Sequence, residues 1–125
     1  MNLEQTLEYI SKADDNTLFL LWTNADPVTA QLMVFMYAEN SMKYHTWENL
    51  TIIIWGATAK LAAEDPEIRS KIRMLQEMGV HFSACITCAE ELGVKASLEE
   101  LGIDLVKWLH PLTAILKGGK KLLTV

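Results

Sequence analysis

Five short apolar runs punctuate the chain, and helical patterns fill the intervals between them. The first run is Thr17-Leu18-Phe19-Leu20-Leu21-Trp22-Thr23, and the second is Leu50-Thr51-Ile52-Ile53-Ile54-Trp55, closed by Gly56. The third is Val80-His81-Phe82-Ser83-Ala84-Cys85, and a weaker fourth is Ile103-Asp104-Leu105-Val106-Lys107. The last is Lys121-Leu122-Leu123-Thr124-Val125. The first two runs are continuously apolar rather than alternating. A strand covered on both faces has that pattern, and parallel sheets are covered on both faces by their crossover helices.

The intervals carry helix start and stop signals. Asp26-Pro27 supplies a cap and a first-turn proline for a helix from Val28 to about Met42. Asp65-Pro66 does the same for Glu67 to Met78, and Gly79 stops it. In this second helix Ile68, Ile72, Leu75 and Met78 form one stripe, with Arg69, Lys71, Arg73 and Glu77 largely off it. Ser97 is placed to cap a short turn through Leu101, stopped by Gly102, and Pro111 to open a helix from Leu112 to Lys117, stopped by Gly118-Gly119. Residues 3–12 read as a short leading helix. The alternation predicts a three-layer α/β/α sandwich around a five-stranded, mainly parallel sheet, joined by right-handed crossovers. With no linker, repeat or low-complexity stretch, residues 1–125 read as a single domain.

Composition narrows the classes. The chain has 125 residues, long enough to bury a core without metal or disulfide staples. Half of it is apolar and 22% is charged, which excludes a disordered class. No apolar run approaches the roughly 18 residues of a membrane span, and Met1-Asn2-Leu3-Glu4-Gln5 lacks the basic-then-apolar layout of a signal peptide. The expectation is a cytoplasmic protein without membrane association. A net charge of −5 without any basic cluster argues against nucleic acid as a partner.

The first helical interval is unusual. Leu32, Met33, Val34, Phe35, Met36, Tyr37 and Met42 make it apolar nearly all round, so it is either centrally buried or part of a subunit contact. The methionines, with Tyr44 and Trp47 nearby, suit a contact as well as a core.

Chemistry concentrates in Ser83-Ala84-Cys85-Ile86-Thr87-Cys88-Ala89-Glu90-Glu91-Leu92-Gly93-Val94. Cys85 ends the third strand, at the carboxyl edge of the sheet, where ligands of open α/β folds bind. A cysteine there faces free N–H groups and the positive end of a helix dipole, which favours thiolate. Cys88 lies three residues on, close enough for the two sulfurs to meet on one helical face. Four readings compete. The pair can be small buried residues. A thioredoxin-like dithiol normally follows the first strand of its unit, whereas this pair follows the third run. A zinc site needs two further ligands, and His45, His81 and His110 have no paired ligand spacing, so no metal is expected. The fourth reading is a sulfur carrier, in which Cys85 holds sulfane sulfur as a persulfide and passes it on.

Other groups reach the same edge. Asn24 or Thr58 is a candidate donor of a hydrogen bond to a thiolate or persulfide, although ordinary turn and cap chemistry is the favoured account of Asn24 and Asp26. Gly56 either ends a strand or lets a ligand approach the backbone. Gly56-Ala57-Thr58-Ala59-Lys60 lacks the second glycine and Ser/Thr of a Walker loop, and no GxGxxG occurs, so no nucleotide cofactor is expected. His81 shares a strand face with Cys85 but lies roughly 13 Å along the strand from it, which suits a satisfied core or interface histidine. His110, before Pro111, is a candidate activating base or simply the residue that opens a helix. Trp22, Trp55 and Trp108 sit near strand ends, as rim aromatics or as core.

The block from Val80 to Ala89, followed by Leu92-Gly93-Val94 and by the terminal Lys121-Leu122-Leu123-Thr124-Val125, resembles the DsrE/DsrF-like family, including its small YchN-type members. The resemblance covers most of the chain and is strongest from Ile52-Ile53-Ile54-Trp55-Gly56 onward. It implies a flavodoxin-like fold, assembly as homotrimers or hexamers, and no cofactor. It also implies that Cys85 stands where the sulfur-relay members DsrE and TusD carry their persulfide. Cys88 matches a second cysteine of the YchN type. On this reading Cys85 would take sulfur from a rhodanese-like or TusA-like partner and yield it to a partner thiol, with Cys88 resolving the persulfide or standing by. The alternative is a homo-oligomeric scaffold or small-ligand-binding module in which both cysteines are incidental.

Overall fold

The computed structural model describes residues 1–125. Strands β1 (Thr17–Trp22), β2 (Asn49–Ile54), β3 (His81–Cys85), β4 (Asp104–Val106) and β5 (Lys121–Thr124) form one sheet in the order β4-β3-β2-β1-β5. Every neighbouring pair is parallel, so the expected architecture holds and its sheet is entirely rather than mainly parallel. Parallel neighbours cannot be joined by hairpins, and each return crosses a face of the sheet.

Seven helices cover the sheet, the first ahead of β1 and the other six in these returns. They are α1 (Leu3–Lys12), α2 (residues 27–43), α3 (Thr58–Glu64), α4 (Pro66–Glu77), α5 (Ile86–Glu91), α6 (Lys95–Glu100) and α7 (Leu109–Lys117). The Asp-Pro signals act as read. The Asp26 side chain accepts from the Thr29 amide, the Asp65 side chain accepts from the Glu67 and Ile68 amides, and each following proline sits in the first turn. Two local expectations need correction, and one helix was not anticipated. The Ala-rich segment after Gly56 forms α3, about two turns and too short to show a periodic stripe. Ser97 lies inside α6, whose N-cap is Val94, and makes no cap. Helix α7 starts at Leu109, ahead of Pro111, because a proline in the first turn gives up an N–H that has no helical partner.

Period two along the strands divides the core. Leu18, Leu20 and Trp22 of β1 join Ile52, Ile54, Phe82 and Ala84 under Val34, Ile68, Ile72, Ala89 and Leu98, so α2 to α6 cover this face. Phe19, Ile53 and Val106 point the other way, toward Ile10 of α1, Ile115 of α7 and the indole of Trp108. The chain steps from β1 through β4 in one direction across the sheet, and crossovers of one hand then place all intervening helices on one face. The return from β4 to β5 runs backward, which sends α7 to the opposite face. Strands β3 and β4 are therefore neighbours whose following helices leave toward opposite layers. Such a switch point opens a crevice at the carboxyl edge, and there Cys85 pairs in register with Val106.

Helix α2 resolves the question raised by its composition. It is π-helical over Ala30–Phe35 and α-helical over Met36–Lys43. Ala30, Val34, Phe35 and Ala38 are buried, whereas Val28 and Leu32 are each 61% exposed and Met36 and Tyr37 are also bare. One row thus belongs to the core, and the opposite row is an uncovered apolar face. No helix is long and apolar enough to cross a membrane.

Candidate functional site

Strand β3 ends as predicted at Cys85, and the backbone turns there directly into α5. Cys85 is the N-cap, and its Sγ accepts the Cys88 N–H at 3.4 Å. A sulfur thus occupies the place usually held by a serine or aspartate oxygen at a helix start. The Thr87 amide also favours the charged sulfur. These are the backbone donors anticipated from the sequence, but their effect is outweighed. Cys85 is 6% exposed, and burial pushes its thiol above the ordinary range; the neighbouring Cys88 thiol adds to the rise, and the Cys88 and Thr87 amides only moderate it. The expectation of a thiolate stabilised at rest is thereby corrected for the single chain. Desolvation costs the anion more than two amides return.

Cys88 differs. It is partly exposed, and its Sγ accepts the Gly56 N–H at 3.3 Å. Gly56 ends the β2 turn with φ +73°, a conformation that glycine enters freely, and no atom lies within 4 Å of where a Cβ would stand. Cys88 lines an open groove of ≈ 350 Å³ together with Gly56, Ala57, Thr87, Glu91 and Leu92. Neither cysteine is in a disulfide.

The remaining predicted residues separate. Gly56 is in the site through its amide. Thr58 is fully buried, and its hydroxyl donates to the Trp22 carbonyl at 2.8 Å while accepting the Trp55 N–H at 3.2 Å. That hydroxyl ties the ends of β1 and β2 together and is not free to face a persulfide. Asn24 is exposed, and its Oδ1 accepts the Asp26 N–H at 2.9 Å, which is the turn chemistry held as the alternative. His110 is exposed on α7, in the layer opposite α5. Trp22 and Trp108 are core residues, the first donating from Nε1 to the Asn24 carbonyl and the second to Ser83 Oγ, both at 2.9 Å. Two features escaped the sequence reading. The Gly56–Cys88 contact joins positions 32 apart, and the only signal for it is a glycine at the end of a strand neighbouring β3.

The second missed feature is a polar chain at the amino edge of the sheet. His81 Nε2 pairs with Asp104 Oδ2 at 2.7 Å, and His81 Nδ1 meets Thr51 Oγ1 at 3.3 Å. The Met1 amino group pairs with Asp104 Oδ1 at 2.7 Å, and the Tyr9 ring packs edge-on against the imidazole. Burial raises the Asp104 carboxyl, but hydrogen bonds and charge from the Met1 amino group and His81 prevail and hold it below the usual range. His81 is thus a satisfied histidine, as its position on the strand suggested.

Comparison with known proteins places this architecture. No curated protein matches the chain. A solved structure from Bacteroides thetaiotaomicron, described as a conserved protein of unknown function, is similar at 35% identity and TM-score 0.87. The match covers 91% of this chain and 100% of that one. Residues 22–124 match the model of the DsrE/DsrF-like family, a span that contains strands β2 to β5, the last residue of β1 and the whole Cys85–Cys88 block. The chain belongs to the DsrE/DsrF-like family.

Proposed function

We propose that this protein is a cytoplasmic sulfur carrier that holds sulfane sulfur as a persulfide on Cys85 and delivers it to a partner thiol. The observation that carries the reading is the placement of Cys85 Sγ. It sits at the carboxyl end of β3, beside the β3–β4 switch point, with the Cys88 N–H directed at it from 3.4 Å. A persulfide is a stronger acid than a thiol, so an amide that offsets only part of the burial cost for the thiol suffices for the loaded form. Membership of a family generally associated with sulfur relay supports the same reading. Donor and acceptor are proteins of the rhodanese-like or TusA-like kind, by resemblance. The bare row Val28, Leu32, Met36 and Tyr37 on α2 supports self-association, as a trimer or hexamer.

The test is mass spectrometry after incubation with a hydropersulfide donor and desalting. The wild-type chain should retain an adduct of about 32 Da, one sulfur atom, on Cys85, and Cys85→Ser should retain none. Equal retention by the variant overturns the reading. The burial of Cys85 favours one rival, an oligomeric scaffold or ligand-binding module with incidental cysteines. That rival requires wild-type protein that takes up no sulfur at either thiol.

A further inference from the structure

The two thiols differ in the properties that decide where sulfur arrives. Cys85 is buried at the N-cap of α5 and does not line the groove, so a partner's persulfide entering the groove meets Cys88 first. Cys88 forms part of the groove wall, together with Gly56, Ala57, Thr87 and Leu92. Its Sγ already receives an N–H from the left-handed Gly56. That donor would stabilise negative charge developing on the sulfur during attack or departure. The surface that the groove exposes is almost wholly apolar, with Glu91 among its lining residues.

We propose that Cys88 is the receiving thiol and that sulfur passes from it to Cys85 within the chain. This inference rests on the sulfur-carrier reading and adds a direction to it. The substrate class is a hydropersulfide, R–S–SH, presented at the Gly56–Leu92 groove. In the first step the Cys88 thiolate attacks the outer sulfur of the donor. A Cys88–S–SH bond forms, the donor S–S bond breaks, and R–S⁻ leaves with the electron pair and takes up the proton lost by Cys88. In the second step Cys85, as its thiolate, attacks the outer sulfur of Cys88–S–SH. Cys85–S–SH forms, the Cys88 S–S bond breaks, and Cys88 recovers the proton given up by Cys85. No oxidant or reductant enters, because one sulfane sulfur moves at constant oxidation level. The second step is intramolecular, between residues three apart on one helical turn, with the Cys88 N–H already bound to Cys85 Sγ at 3.4 Å. The groove thus separates a reachable receiving sulfur from a shielded storage sulfur.

The experiment uses the full chain, glutathione hydropersulfide as donor, rapid quench with iodoacetamide, and peptide mapping of the ~32 Da adduct. With Cys88→Ser, the rate of sulfur loading on Cys85 should fall at least about tenfold. With Cys85→Ser, quenching within seconds should trap the sulfur on Cys88, and the same adduct should be gone after desalting, because free thiol reverses the first step at the exposed sulfur. On the unloaded wild-type chain, alkylation should modify Cys88 before Cys85, a measurement that needs no variant. Loading of Cys88→Ser at the wild-type rate, or alkylation of Cys85 first, overturns this inference and leaves the carrier reading intact. A wild-type chain that takes up no sulfur removes the carrier reading, and this inference with it.

Discussion

The two ends of β3 carry polar chemistry of opposite kinds. At the amino end, His81 is paired on both ring nitrogens, with Asp104 on one neighbouring strand and Thr51 on the other. Side chains satisfy side chains there, across three adjacent strands. At the carboxyl end, Cys85 and Cys88 are held by backbone amides, from Cys88 itself and from Gly56. No carboxylate or imidazole binds either sulfur. A side-chain network has its own partners fixed and contributes to holding the sheet. Sulfurs held only by amides keep their valence chemistry free, and one of them faces an open groove. Polar residues on one strand therefore divide into a staple at the edge where the strand begins and a candidate reaction centre at the edge where it ends, as expected for parallel α/β sheets.

The most disruptive way to break this contrast is to exchange the consequences of mutation at the two ends. Replacing His81 by Ala should cost about 2 kcal/mol, through the lost hydrogen bonds to Asp104 and Thr51 and a lost edge contact with Tyr9, and leave sulfur loading at the wild-type rate. Urea unfolding and the hydropersulfide assay report the two effects separately. Cys85→Ser should do the reverse, abolishing retained sulfur while shifting stability by about 1 kcal/mol or less, since a serine hydroxyl is also a competent N-cap. A His81 variant that loses sulfur loading without unfolding would dissolve the distinction.

A smaller effect sharpens the carboxyl end. Gly56→Ala meets no atom within 4 Å, so its cost comes from the backbone at φ +73° alone, about 1 kcal/mol. If the loop relaxes toward negative φ, the N–H turns away from Cys88. Alkylation of Cys88 should then slow about threefold, with Cys85 little changed.

The ends also differ in their response to pH. The folded Asp104 carboxyl titrates below its unfolded value, so the folded chain binds fewer protons and unfolding takes one up. Its contribution is present above the ordinary carboxylate range and is lost as pH falls through the depressed value. Asp104→Asn should therefore flatten the acid limb of a stability profile followed by circular dichroism. Cys85 has the opposite sign. Its folded value is raised, so the stabilisation is present below the ordinary thiol range and is lost as pH rises through the folded value. Alkylation of Cys85 should accordingly begin to rise at higher pH than that of a free thiol.

Much of the frame was legible from pattern. The strand limits followed from continuous apolar runs such as Ile52-Ile53-Ile54, and the starts of α2 and α4 from Asp-Pro pairs, because these signals act within a few residues. Helix α3 was not anticipated, since seven residues give a stripe no time to repeat. Within the candidate site, Cys85 was found at its strand end, but Thr58 was misjudged. Its hydroxyl is claimed by the Trp22 carbonyl, a partner 36 positions away that no local pattern identifies.

The amino-acid pattern decided the strands, the layers they need and the place of the thiols at a carboxyl edge, because burial period and capping are local properties. Which sulfur is covered and which is reachable was decided only when β2 came to lie beside β3. That contact set the Gly56 amide against Cys88, while Cys85 lies buried at the start of its own helix. Both thiols lie on a segment of four residues with the same local composition. Their difference in solvation and hydrogen bonding comes from neighbours that only the folded sheet supplies.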